Sequence, residues 1–197
     1  MRLGRVPYGE AWALQTRLVD QRAAGVIGNT VIVCEHDPVY TVGRKRGATQ
    51  NLLDVGEVPV FEVERGGDVT FHGPGQLVAY PILLLEGADR DLHVHLRRLE
   101  ELMIGVCGRF GVAAGRDPRN TGVWTGGRKL GSIGISCRRW VTFHGLALNV
   151  NTDLQWFRRV NPCGFDATVM TSLAQELGRP LDLQAVEAAL IGDVLAW

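Results

Sequence analysis

Residues 65–81, RGGDVTFHGPGQLVAYP, place four glycines and one histidine within seventeen positions, a mixture that packing alone does not select. Gly66 and Gly67 allow main chain to take positive φ, or to lie against a ligand with no Cβ in between. Pro74 and Gly75 supply the two central residues of a type II turn, and His72 sits just before it. Strand-like runs flank the turn region, VFEV at 60–63 and LVAYPILLL at 77–85. The segment reads as two strands joined by a glycine-lined bend that carries a titratable imidazole. An ordinary hairpin with a surface histidine is the alternative, and local chemistry leaves both open.

A bend of this kind needs a core to hold it. With 197 residues and 46% hydrophobic content the chain can bury one, and no linker, repeat or low-complexity tract divides it, so 1–197 is expected to be a single domain. Basic and acidic residues balance at 21 each, which gives no global pull toward nucleic acid. The longest apolar run, at 78–85, falls far short of a membrane span, and the first residues, MRLGRVPYGEAW, contain no apolar signal segment. A cytoplasmic location is therefore the expectation. Cys34, Cys107, Cys137 and Cys163 lack C-x-x-C spacing, which argues against a zinc site and against a disulfide framework. Reduced thiols are expected, and the question is which of them reacts.

Periodicity predicts helices at 9–25 and 91–111; in the second, Leu92, Leu96, Leu99, Met103, Val106 and Phe110 recur at steps of four and three. His93 and His95 lie two apart on that helix, so they diverge and do not make a metal pair. Residues 29–35 are a β-branched strand with Cys34 as a small buried hydrophobe. From 121 to 150 short apolar strands alternate with glycine: Gly126 and Gly127 mark a hairpin, and 140–144 and 146–150 read as further strands. Short helices follow at 153–159 and near 171–177, then a last one at 183–195 capped by Asp182. Strands and helices are partly segregated, so the class is α+β, one mixed or antiparallel β-sheet flanked by helices.

Common catalytic motifs are missing. The sequence has no G-x-x-x-x-G-K-[ST] loop, no G-x-S-x-G elbow and no H-E-x-x-H pair, and Val78 breaks the G-x-G-x-x-G that Gly73 and Gly75 begin. Cys163 stands apart from the other cysteines because Asn161-Pro162-Cys163-Gly164 is a turn leading toward helix, where free N–H groups lower a thiol pKa. A nearby cation would complete the activation. Lys129, on a strand among small residues, is one candidate; a strand lysine facing solvent is the other reading. Arg44, Lys45 and Arg46 form a basic loop open to either a solvated or a docking role.

RGGDVTFHGPGQLVAYP resembles the signature of the octanoyl-carrier-protein:protein N-octanoyltransferases, the lipoyl(octanoyl) transferases of lipoate biosynthesis. The similarity continues through DPVYTVGR at 37–44, KLGSIGI at 129–135, VTFHGLALN at 141–149, NPCG at 161–164 and VMTSL at 169–173. It covers nearly the whole chain; Gly131, where alanine is more usual, touches no chemical group.

The resemblance implies the fold of a biotin/lipoate protein ligase catalytic domain and a Cys163/Lys129 dyad. Cys163 would take an octanoyl or lipoyl group from the phosphopantetheine thiol of acyl carrier protein, with Lys129 lowering the thiol's pKa. The acyl group would then pass to a lysine of a lipoyl domain of a 2-oxoacid dehydrogenase or glycine-cleavage protein. No ATP, metal or other cofactor is implied, and neither nucleic acid nor membrane is a partner; a monomer is expected. Three segments carry over as substrate-binding: Arg65, Gly66, Gly67, Asp68, Val69, Thr70, Phe71 and His72; Ser132, Ile133 and Gly134; and Gly145, Leu146 and Ala147. His72 would position or transfer a proton, while His144 stays open between a structural and a site residue. Arg44, Lys45 and Arg46, with Arg138 and Arg139 and with Arg158 and Arg159, are candidate docking spots for an acidic carrier. An ATP-dependent lipoate or biotin ligase and a non-catalytic carrier-binding module are the competing readings.

Overall fold

Two strands with no exposed residue form the centre of the fold. Gln76–Ile82 (β6) and Val141–Asn149 (β10) are buried along their whole length and pair antiparallel, with Leu146 opposite Ala79. Burial that does not alternate along the strand marks one covered on both faces. The computed structural model describes residues 1–161 and 166–194. In it these strands lie inside a seven-stranded mixed sheet with Arg2–Val6 (β1), Thr30–His36 (β2), Gly115–Asp117 (β7), Asn120–Thr125 (β8) and Arg128–Arg138 (β9), in the order β1-β2-β6-β10-β9-β8-β7. Val39–Val42 (β3), Val60–Glu62 (β4) and Val69–His72 (β5) form a second sheet, ordered β4-β3-β5.

Helices cover both faces of the large sheet. Tyr8–Ala23 (α1) lays Ala11, Leu18 and Val19 against Ile32, Val78 and Tyr80. Leu92–Arg109 (α2), capped by the Asp91 carboxylate accepting from His93 N and Val94 N, packs Leu99, Met103 and Val106 on Leu77, Leu130 and Leu146 of the other face. Each such side chain, taken fully from water, contributes about 1.5–3 kcal/mol, and the 4,3 spacing in α2 puts them in one stripe. Leu173–Leu177 (α3), capped by Ser172, and Leu183–Val194 (α4) close the same layer through Leu173, Val186 and Leu190. The expected hairpin at Gly126 and Gly127 joins β8 to β9. None of the described helices is long and apolar enough to cross a membrane.

Three expectations from the sequence change. There are two sheets among the described residues rather than one. The bend within 65–81 does not join a strand pair: β5 pairs with β3 in the small sheet, while β6 pairs with β2 and β10 in the large one. The Pro74–Gly75 turn therefore hands the chain from one sheet to the other. Its geometry is that of the expected turn, with Gln76 N donating to Gly73 O at 3.1 Å and Gly75 at φ 78°. A Cβ on Gly75 would lie 2.7 Å from the carbonyl carbon and oxygen of Asn151, so only glycine fits this crossing. Finally, the two strands expected at 140–144 and 146–150 are one strand. Gly145 continues it because β10 rides so close to β6 that a Cβ there would meet Ala79 O at 2.2 Å.

Candidate active site

A cavity of about 230 Å³ lies where the two sheets face each other, walled by the glycine-rich bend, β9 and β10. The bend is held by its own polar groups. Arg65 is buried, donating from Nη2 to Thr41 O (2.8 Å) and Thr41 Oγ1 (2.9 Å), and from Nη1 to Gly66 O (3.0 Å). Gly66 N donates to Ile135 O at 2.8 Å, which ties the bend to β9, and Gly67 takes φ 89°. The buried Asp68 carboxylate accepts from Lys45 Nζ, Asn51 Nδ2 and Val69 N, each at 2.8 Å. Burial alone would raise its pKa; those three donors outweigh it and hold the carboxyl below the usual range.

The opposite wall is a strand pair in register, Gly145 across from Gly134, Leu146 from Ile133 and Ala147 from Ser132. All six of these residues line the cavity, as do Arg65, Gly66, Gly67, Asp68, Val69, Thr70 and His72 from the bend and β5. Phe71 turns the other way. Alternation along β5 sends its ring into the cluster of Tyr40 and Phe157, where it stacks on Trp156 with centroids 5.5 Å apart. It supports the small sheet from beneath, and the cavity wall omits it.

His72 is locked as a neutral ring. Gln76 Nε2 donates to Phe71 O (3.1 Å) and Asn149 Oδ1 (2.9 Å), so Gln76 turns its oxygen to His72 Nδ1 at 2.7 Å and the proton resides on Nδ1. Nε2 faces the Thr41 hydroxyl at 3.5 Å, and Tyr8 stacks on the ring at 6.0 Å. Burial, with His36 and Arg65 adding to it against the Gln76 hydrogen bond, pushes the pKa down to about 3. This fits positioning rather than proton transfer near pH 7.

His144 is buried in the same wall with a left-handed φ of 54°. Its N–H donates to Gln15 Oε1 at 2.8 Å, yet neither ring nitrogen has a hydrogen-bond partner among the described residues. Burial lowers its pKa to about 4, although Glu64 Oε2 lies 3.6 Å from Nε2. Of the two readings left open, a satisfied structural histidine is the one its surroundings disfavour. Tyr8, from α1, also lines the cavity; no sequence motif pointed to it.

Lys129 marks the other end, six residues along β9 from Ile135, which pairs with His144; six strand steps span about 20 Å. The lysine does not face solvent: it is 2% exposed. Its Nζ donates to Asn120 Oδ1 at 2.6 Å and lies 5.4 Å from the Trp124 ring centroid. The aliphatic stem crosses Gly122, where a Cβ would come within 2.9 Å of Lys129 Cε. Cys163 lies outside the described residues. The chain shortly after it does return to Lys129: Met170 forms a parallel bridge with that residue and Thr171 N donates to Lys129 O at 3.0 Å.

The other thiols are poorly placed for reaction. Burial pushes Cys34 and Cys107 up to about 12 and raises Cys137 as well. Among the described residues no group of three or more His, Cys, Asp or Glu side chains is arranged to hold a metal.

Comparison with known proteins places this geometry. Residues 7–194 match the family described as Lipoyl protein ligase A/B catalytic domain. An octanoyltransferase from Geobacter metallireducens is 53% identical over 190 residues, 96% of this chain and 88% of the relative. One from Rubrobacter xylanophilus is 48% identical, covering 95% and 87%. The crystal structure of lipoate-protein ligase A bound with ATP superposes with a TM-score of 0.73 at 14% identity, covering 98% of this chain and 81% of that one, and so shares the fold. With the family matched over residues 7–194, which include every residue lining the cavity, and relatives of about half-identical sequence covering most of both chains, the chain belongs to the lipoyl protein ligase A/B catalytic domain family.

Proposed function

We propose that the protein is an octanoyltransferase that moves an octanoyl group from acyl carrier protein to a lysine of a lipoyl domain through a thioester on Cys163. The observation that carries this reading is the buried ammonium of Lys129, held at one end of a cavity walled by the glycine-rich bend and the β9–β10 strand pair. Relatives of about half-identical sequence named octanoyltransferase support it. The shared fold does not choose between transferase and ligase, since a lipoate-protein ligase bound with ATP has it too. Cys163 does, because an acyl-adenylate route has no use for a thiol nucleophile.

The chemistry runs in two balanced steps. The Cys163 thiolate adds to the thioester carbonyl of the carrier-bound acyl group; the carbon–sulfur bond to the phosphopantetheine breaks, and Lys129 protonates the departing thiolate. Lys129 is then neutral. In the second step the acceptor amine adds to the Cys163 thioester, Cys163 leaves as thiolate and Lys129 takes up the amine's proton. That help matters, because a lysine of pKa about 10.4 is neutral only about once in 2,500 molecules at pH 7. Thioester exchange is nearly balanced and amide formation is downhill, so neither step calls for ATP. Burying six methylenes at about 0.8 kcal/mol each contributes on the order of 5 kcal/mol, which makes chain length selectable by the cavity.

The donor's acidic carrier docks over Arg44 and Arg46. Both are exposed, and their neighbour Lys45 lines the cavity while pairing with Asp68. Arg138 and Arg139 are less available, since both pair with Asp20, at 3.2 and 2.5 Å. Transfer from octanoyl-carrier protein to a lipoyl domain, measured with and without ATP, tests the reading: transfer without ATP is expected, and transfer only with ATP would assign a ligase.

A further inference from the structure

The surroundings of Lys129 contain a choice that the reaction above does not explain. Its ammonium is met at 2.6 Å by a neutral amide oxygen, that of Asn120, where a carboxylate would give a stronger contact. Three carboxylates on neighbouring elements are engaged by arginine. Glu100 of α2, buried behind β8, accepts from Arg97 and Arg116 at 2.7 Å each and from Gly122 N at 3.1 Å. Asp117 is forked by Arg119, and Glu176 is taken by Arg128, both at 2.8 Å. Asn120 itself is fixed from behind, because Trp124 Nε1 donates to its main-chain oxygen at 3.1 Å while the Trp124 ring faces the ammonium.

We propose that Asn120 is a positioning residue for the reaction: its uncharged amide oxygen accepts from the Lys129 ammonium and helps to aim it at the Cys163 thiolate without itself adding a counter-charge. The inference rests on the cysteine–lysine reading proposed above. Asn120 and Thr121 line the same cavity as Lys129, so the amide sits at the site rather than behind it. A carboxylate in its place would pair with Lys129 and cancel the field that favours a thiolate. An apolar residue would remove this 2.6 Å contact from the ammonium.

The test is the pH dependence of Cys163 alkylation by iodoacetamide, read from the Cys163 peptide by mass spectrometry in the parent, Lys129→Ala, Asn120→Asp and Asn120→Ala. The Trp124 contact uses Asn120 main chain, so it survives both Asn120 substitutions, and melting temperatures check that each variant folds. Asn120→Asp should move the midpoint upward by about one pH unit, a tenfold drop in thiolate at neutral pH. Asn120→Ala should move it less, with a larger loss in the rate of octanoyl transfer than in alkylation. If Lys129→Ala moves the midpoint and neither Asn120 variant does, the role of Asn120 is refuted while the cysteine–lysine pair stands. If Lys129→Ala also leaves it unmoved, the pair and the inference fall together.

Discussion

Gly134→Ala places a methyl group against the bend and separates acyl binding from thiol chemistry. A Cβ at 134 would lie 2.9 Å from Gly66 O and 2.9 Å from Arg65 Cδ, where ordinary contact begins at 3.4 Å. The arginine is buried and held by Thr41, and the Gly66 carbonyl is main chain, so the bend must retreat by about 0.5 Å. That retreat strains the 2.8 Å bond from Gly66 N to Ile135 O, worth about 0.5–1.5 kcal/mol, and overpacking of a filled site adds about 1–3 kcal/mol. The expected loss is about 2 kcal/mol, or roughly 4–8 °C in melting temperature for a chain of this size. Because the cavity wall moves while Lys129 does not, half-saturation by octanoyl-carrier protein should rise about tenfold, with Cys163 alkylation within about twofold of the parent. Thermal unfolding, single-turnover acylation and alkylation measured on one preparation give all three numbers. Unchanged melting and acyl affinity would refute the close stacking of bend on strand, and equal loss of acyl affinity and alkylation would refute the division between wall and dyad.

Two other outcomes rest on the same geometry. His72 and His144 are held neutral with pKa values near 3 and 4, below the ordinary 6.5, so the unfolded chain binds more protons between those limits; their contribution is complete above pH 6.5 and declines as pH falls toward 4. Urea unfolding at pH 7.5 and 5.5 should show about 1.4 kcal/mol lost per histidine for each unit below 6.5, an effect that His72→Gln should reduce; a flat profile would contradict the buried neutral rings. Reversing charge with Arg44→Glu and Arg46→Glu should raise the KM for octanoyl-carrier protein and flatten its salt dependence, leaving acylation by a small octanoyl thioester unchanged. Equal effects on both donors would move the docking surface elsewhere.

What the sequence revealed depended on how local each determinant is. The α2 stripe, the Gly126–Gly127 hairpin and the Pro74–Gly75 turn were legible because their residues are neighbours in the chain. The partition into two sheets was not, since β6 lacks the alternation that reveals a face or a partner and β5 is only four residues long, with both of its faces buried. Side-chain direction failed for a related reason: Phe71 carries the same motif as Thr70 and His72 but points beneath the small sheet. Lys129 read equally well as solvent-facing until the close packing at Gly122 and the Asn120 contact were seen. Tyr8 and Asn120 carried no signal, because their proximity to the site is created by tertiary packing.

The central claim is that an acyl group rests on one sulfur between donor and acceptor. Protein mixed with octanoyl-carrier protein in the absence of ATP and of any lipoyl domain, then quenched in acid and digested, should carry one octanoyl group per chain, on the peptide containing Cys163. Cys163→Ser should show none, and addition of lipoyl domain to the acylated protein should discharge it. A transfer-competent protein that never carries the group, or carries it on another residue, would contradict the account.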